Sequence, residues 1–347
     1  MTNVRQPMGW GLATLTPQEV RRVEAIARSK LENDAPSRCT VQPAKPVLNF
    51  NLLATVMEKM RADGIDGGFS FRHLEAAVFG SPLNWLRQLI GSCVASGGRI
   101  VDSGRMIAES FLLGDPEEIF GSGTVGTNNV SPFAPFSYRA GRKLAGFNGR
   151  DDGSLCDPHI RGKMTIGLLP CSAVGLGQYT DAFPEPQREE TYRQWGADDT
   201  LLNRFTEQAK RFVLLESSAP DSAEKIKEAL TTFKPMQICS GWAFKPDKPH
   251  PTWKLADGSP VWIYTRDRND EWQHNMSLYG WHQLASREEF CEVRNTWANY
   301  HKNGDWFVIR AEEADAWARD RDQRYGSQIR TIGNISTSPT PPPFPGE

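Results

Sequence analysis

One cysteine of this sequence, Cys93, stands where a loop turns into a long helix, in NWLRQLIGSCVASGGRIVDSGRMIAESFLLG, residues 84–114. A thiol attacks carbon well only as a thiolate, and a helix N-terminus and a neighbouring imidazolium both lower its pKa. The imidazole in turn needs a third group to hold its ring, and a carbonyl reaction needs a donor for the developing oxyanion. The chain has six histidines: His73, His159, His250, His274, His282 and His301. His274 begins HNMSLYGW, which reads as an apolar strand, and Asn295 follows in VRNTW at the end of the next strand. If those strands pair antiparallel, Asn295 faces His274 and Trp297 can cover the contact from water. His282 is a rival base, but it follows the Gly-Trp turn. His301, in NYHKNGD, reads as a solvated turn residue, and Asp151 and Asp152 as helix-capping residues that touch water.

The elements that must position these residues come in a particular order. PQEVRRVEAIARSKL (17–31) reads as an amphipathic helix with Pro17 in its first turn. NLLATVMEKMRADG (51–64) is a second helix ending at Gly64, and SFRHLEAAVFG (70–80) a shorter third. On the Cys93 helix, Val94, Gly97, Val101, Ala108 and Phe111 fall near one face. Gly97, Gly98 and Gly104 each cost about 1 kcal/mol against Ala in an exposed helix, so another backbone is expected to pack closely there. Residues 121–153 read as loop. Residues 222–244 read as helix, turn and strand. HNMSLYGW, EFCEVRNTW and DWFVIRA then read as three strands of one sheet, with a helix over 311–323 and a Pro-rich tail, STSPTPPPFPGE. Helices first and strands later is an α+β pattern.

Composition narrows the function classes. At 347 residues, one large or two fused lobes are expected. Lys+Arg total 40 and Asp+Glu 42, a net charge of −2 that argues against nucleic-acid binding through bulk charge. No apolar run reaches the roughly 18 residues of a membrane helix. MTNVRQPMGWGLATLTPQEV has no apolar signal-peptide core, which implies a cytoplasmic protein. Six scattered cysteines without a C-x-x-C fit a reduced protein with buried thiols. Cys156 and His159 in CDPH have the spacing of half a zinc site, but no second half is visible in the sequence, so zinc is not expected there. GSGTVG (121–126) matches G-x-G-x-x-G, but a helical segment precedes it and TNNVSPFAP, read as unable to start a helix, follows. No cofactor or metal is expected.

Taken together, the motifs resemble the papain-like cysteine peptidases. QLIGSC resembles that family's Gln…Gly-x-Cys segment, HNMSLYGW its histidine strand, VRNTW its Asn-Ser-Trp segment and NGDWFVI the strand that follows. GRDDGS (149–154) resembles the Gly-rich segment before a helix of the left lobe. The resemblance covers roughly residues 66–310. It implies a papain-like two-lobed α+β fold: an N-terminal helical extension (1–65), a helical lobe carrying the cysteine (66–185), a β-sheet lobe carrying histidine and asparagine (186–310), and a C-terminal helix with a Pro-rich tail (311–347). It implies Cys93 as nucleophile, His274 as general acid/base, Asn295 as the residue that orients His274, and Gln88 sharing an oxyanion hole with the Cys93 N–H. The substrate would be a peptide or protein, hydrolysed through a thioester. The alternative is a papain-like structural component of a large assembly such as a tailed-phage virion, whose tails bind other subunits. Both tails are too polar or Pro-rich to form a core alone, so if ordered they must dock on this chain or on neighbours. On the peptidase reading, Cys93 alkylates at pH 6 far faster than the other five cysteines. Labelling no faster than that of Cys239 in a mass-spectrometric time course would make it an inert thiol.

Overall fold

The computed structural model describes residues 48–83, 88, 92–120, 125–149, 153–174, 185–215, 217–297, 301–320, 328–332 and 335–337. The helix expected over 17–31, Cys39, the first four residues of GSGTVG, Asp151, Asp152 and the tail beyond residue 337 lie outside these.

Helix α1 (Phe50–Ala62) opens at Asn49, whose side chain accepts from the Leu52 N–H at 3.1 Å, and it ends before Gly64 at φ 75°. Strand β1 (Gly67–Ser70) runs directly into α2 (Phe71–Phe79), which Gly80 closes in the left-handed conformation. Next comes α3 (Cys93–Ile107), extended by a π turn over Ala108–Leu112. Short helices α4 (Pro116–Phe120) and α5 (Thr127–Val130) lead to α6 (Ala134–Leu144) and α7 (Cys156–Thr165). Residues 127–130 and 134–144 are therefore helical where a loop was expected. Pro135 sits in the first turn of α6, the position where its missing N–H costs nothing. TNNV does start a helix, with the Asn129 side chain accepting from the Gly126 N–H at 2.9 Å. Helices α8 (Glu185–Ala197) and α9 (Thr200–Ala209) precede the short strands β2 (Phe212–Leu214) and β3 (Ser217–Ser218).

The rest is mainly sheet, so the α+β class holds. Helix α10 (Ala223–Thr231), capped by Ser222, feeds β4 (Met236–Lys254). Then come β5 (Pro260–Gln283), β6 (Glu289–Arg294), β7 (Trp306–Arg310) and α11 (Ala311–Arg319). Strands β8 (Gln328–Ile332) and β9 (Ile335–Thr337) follow. The main sheet has the order β3-β8-β4-β5-β6-β7, with β1 also on β5. The later half of β5 pairs antiparallel with β6, and β6 with β7. β7 returns parallel to the early half of β5 at Ile263 and Tyr264, which closes β5, β6 and β7 into a curled barrel. Phe244, Tyr264, Trp272, Phe307 and Trp317 pack in its core. β8 pairs with β3 and β4, and β9 with β2, so residues 328–332 and 335–337 dock on this chain's own strands.

The α3 glycines meet β5 and α7 chiefly through side chains. A Cβ at Gly97 would lie 2.0 Å from Asn275 Oδ1, one at Gly98 2.7 Å from His159 Cε1, and one at Gly104 2.6 Å from the Tyr279 hydroxyl. Ser277 Oγ donates to the Gly97 carbonyl at 2.9 Å. Gly97→Ala is expected to lower stability by about 1–3 kcal/mol through overpacking. Urea unfolding measures this, and a midpoint equal to that of the unaltered chain would mean α3 does not sit this close to β5.

Candidate active site

His274 owes its position to an irregularity in the sheet. Ser240 pairs with His274 and Trp242 with Glu271, so Gly241 alone opposes Trp272 and Gln273. An extra residue of this kind bends the strand and re-aims the side chains beside it. Ser240 Oγ fixes the bulge by accepting from the Trp242 N–H at 2.9 Å and from Trp317 Nε1 at 2.8 Å.

Asn295 follows the last residue of β6, its own N–H bonded to the Asp305 carbonyl at 2.9 Å. Nε2 of His274 lies 2.7 Å from Asn295 Oδ1. The same oxygen accepts from the Thr296 N–H at 2.6 Å. A backbone N–H can only donate, so it identifies Oδ1, and Nε2 of His274 must carry the proton it gives to that oxygen. Nδ1 is then the lone-pair nitrogen. It makes no hydrogen bond with any described residue, Cys93 included. The Trp297 ring stacks on the imidazole, centroids 4.2 Å apart and planes at 26°. His274 and Asn295 are both buried. Burial pushes the His274 imidazole down to about 4, against an opposing pull from the Asn295 hydrogen bond, so it is neutral at pH 7.

Gln88 joins the same group. Its Oε1 accepts from Thr296 Oγ1 at 2.8 Å, and its N–H donates to the Thr296 carbonyl at 2.8 Å. Arg294, one residue before Asn295, donates to Glu75 at 2.9 Å and to the Leu83 carbonyl at 3.1 Å, while the Leu83 N–H bonds to Glu75 at 2.9 Å. Glu75 also accepts from the Tyr279 hydroxyl at 2.7 Å. This buried ion pair ties α2 and the Leu83 backbone, ahead of Gln88, to the end of β6.

Cys93 is the first residue of α3 and is fully buried. It packs with Val94, Cys156 and Cys239. Cys239 is the ladder partner of Asn275, the residue after His274. Gln237 Nε2 donates to the Val94 carbonyl at 3.3 Å, and Gln237 Oε1 accepts from Lys163 at 3.0 Å. The structure thus joins His274, Asn295, Trp297 and Gln88 in one contiguous group, with Cys93 on the helix packed beside that strand. Alkylation of Cys93 depends on exposing the α3 N-terminus.

Other expectations change. Cys156 and Cys239 form a disulfide, Cα atoms 6.4 Å apart, so these two sulfurs are not reduced thiols. Cys156 is thus not a thiolate ligand here, and among the described residues there is no group of three or more His, Cys, Asp or Glu side chains placed to hold a metal ion. His282 bonds Glu292 at 2.8 Å, eight residues along β5 from His274, which is roughly 26 Å of extended strand. His301 is not a solvated turn residue. It is 5% exposed, and its Nε2 accepts from Asn295 Nδ2 at 2.9 Å. The polar run HKNGD hid it. Thr296 and Arg294 were passed over as well, although both flank Asn295.

By sequence, the chain matches no protein-family model and no curated protein. Solved structures similar to it include xylellain, a cysteine protease from Xylella fastidiosa, at 14% identity and TM-score 0.48, covering 86% of this chain and 94% of that one. Procathepsin B S9 from Trypanosoma congolense is similar at 12% identity and TM-score 0.45, covering 93% and 99%. The proform of the Amb a 11 cysteine protease of ragweed pollen is similar at 12% and 0.42, covering 94% and 89%. Among the described residues, no helix is long and apolar enough to cross a membrane.

The two linked histidines make stability depend on pH. Burial, with His274 adding to it, pushes His301 down to about 3, and His274 stands at about 4, against 6.5 for an exposed imidazole. Below pH 6.5 the unfolded chain takes up protons that the folded chain refuses. Their stabilisation is therefore full above about pH 6.5 and is lost as pH falls toward 4 and then 3. His274→Gln should flatten the slope of unfolding free energy between pH 6 and 4.5 by up to about 1.4 kcal/mol per pH unit. Parallel slopes for the variant and the unaltered chain in urea titrations would show that His274 is not held neutral.

Proposed function

We propose that this chain is a papain-like cysteine peptidase that hydrolyses peptide or amide bonds at Cys93. The observation that carries the reading is the fixed tautomer of His274. The Thr296 N–H sets Asn295 Oδ1, Oδ1 takes the Nε2 proton, and Nδ1 is left as a base. Trp297 keeps water from the hydrogen bond that does this. A neutral imidazole at pH 7 is the form a general base requires.

In the proposed reaction, the substrate's carbonyl enters between α3 and His274. The Cys93 proton passes to Nδ1 as Sγ bonds to the carbonyl carbon. The oxyanion is met by the Cys93 N–H and by Nε2 of Gln88, the donor end of an amide whose Oε1 is engaged by Thr296. Collapse breaks the C–N bond, and the leaving amine takes the proton from Nδ1. Water then attacks the thioester, giving its proton to Nδ1, and Sγ leaves and recovers that proton. The thiol and the imidazole are not hydrogen-bonded in this structure. Catalytic hydrogen bonds commonly tighten only in the substrate complex. The burial of Cys93 means that substrate must displace what covers the α3 N-terminus.

A mixed peptide library and a thiol-directed epoxide provide the test. The unaltered chain should cleave a mixed peptide library and take up one epoxide per chain, at Cys93. Cys93→Ala should lose both. His274→Gln should lower kcat by about 10²–10⁴. Cleavage that persists in Cys93→Ala, or epoxide found on another cysteine, would overturn the assignment.

A further inference from the structure

His301 lies on the far side of Asn295 from His274. The amide links the two rings: His274 Nε2 to Oδ1 at 2.7 Å, and Nδ2 to His301 Nε2 at 2.9 Å. Because Oδ1 is the acceptor for Thr296, Nδ2 is a donor, and His301 must offer it a lone pair. His301 is therefore the tautomer opposite to His274, with its proton on Nδ1.

The chain holds His301 in place with some care. Residues 301–304 form a tight turn in which the His301 N–H meets the Gly304 carbonyl at 3.2 Å and the Gly304 N–H meets the His301 carbonyl at 3.0 Å. Gly304 takes φ 102°, open to glycine and strained for other residues. Asn303 docks the turn on β5: its Oδ1 accepts from the Trp262 N–H at 2.9 Å and its Nδ2 donates to the Trp262 carbonyl at 3.0 Å. The Lys302 N–H donates to the Tyr264 hydroxyl at 2.8 Å. The ring sits among Phe307, Tyr264 and Trp272, with centroids 4.6, 5.2 and 6.2 Å away. Low polarity there favours a neutral ring, and burial pushes its pKa down to about 3.

We propose that His301 is a positioning residue: as a neutral acceptor it fixes the Asn295 amide from behind, and through it the Nε2–H tautomer that leaves His274 Nδ1 as the base. The kinetic part of this rests on the peptidase reading above. The physical part does not. An amide with both ends engaged has one orientation. Without an acceptor for Nδ2, the buried amide turns to find one, and a reversed amide would hold His274 with its proton on Nδ1. A wrong tautomer of the catalytic imidazole can cost up to about 10⁴ in rate.

The test compares His301→Gln with His301→Leu in the full chain. Gln offers an acceptor oxygen, whereas Leu suits the aromatic surroundings better and offers none. A role in packing alone favours Leu, and the positioning role favours Gln. The readouts are kcat and KM on a cleaved peptide and the ¹⁵N shifts of the ring nitrogens. Expected are a protonated Nε2 on His274 and a bare Nε2 on His301 in the unaltered chain at pH 7. His301→Gln should keep kcat within about 3-fold and keep the His274 pattern. His301→Leu should lose roughly 10-fold or more in kcat at unchanged KM, with the His274 proton shared between its nitrogens, a small share of the wrong-tautomer limit. Leu as active as Gln, or an unchanged His274 pattern in Leu, overturns the proposal. If Leu fails to fold, a protonated Nε2 on His301 in the unaltered chain overturns it just as well. Ring shifts that follow the acceptor in a chain that cleaves no peptide would support the positioning role and sink the peptidase reading instead.

Discussion

The close seating of α3 on the β4–β5 pair governs the rest of this structure. Thirteen of the fifteen α3 residues are buried and the other two, Ser96 and Arg99, are only partly exposed, so the helix behaves as a central strut of the molecule. A helix enclosed in this way can approach its neighbours only where side chains are missing, and Gly97, Gly98 and Gly104 supply those gaps. The polar groups it carries inward must also be partnered. Asp102 is met by Lys163 from α7 at 2.8 Å, and Lys163 also reaches Gln237 on β4, which in turn holds the Val94 carbonyl. Burial alone would raise the Asp102 carboxyl and lower the Lys163 ammonium, and each opposes that shift in the other. The first turn of α3, where Cys93 sits, is thus tied to β4 and, through Gly97, to β5.

Around His274 the organising element is an amide rather than a charge. An amide between two imidazoles can transmit orientation because its two ends differ in chemistry, with a backbone N–H marking the acceptor end and an imidazole lone pair the donor end. A carboxylate in the same place would accept on both sides and would set both rings to the same Nε2–H tautomer. The ion pairs stand one layer further out, at Arg294, Glu75 and Asp305, where they anchor the strand end away from the base.

Much of this could be read in the sequence, for reasons that differ by region. The α1 and α2 boundaries carry local signals, Gly64 and Gly80, and the apolar runs around His274, before Asn295 and after Trp306 are set off by turn residues between them. The pairing of His274 with Asn295 follows from strand order alone. Helix α6 was hidden because Pro132 and Pro135 read as loop, although Pro135 sits where a helix begins. β4 and β5 proved far longer than their apolar cores, since KPDKPHPTWK continues as strand through a polar and Pro-rich stretch. His301 was illegible because its burial depends on Asn303 and Tyr264 anchoring a polar turn across the sheet. No local pattern encodes that. The Cys156–Cys239 link was equally hidden, since the two cysteines share no spacing motif.

That disulfide spans 83 residues of sequence and joins α7 to β4. It makes the connectivity of the molecule independent of the backbone between those points. Helices α8 and α9, strands β2 and β3 and helix α10 all lie inside the covalent loop. A backbone cut anywhere within it leaves a single covalent molecule of two chains. Such a molecule would migrate intact under oxidising conditions and separate into two pieces when reduced. The segments that carry Cys93 and His274 would then remain tethered through the sulfurs beneath them, even without continuous backbone between them.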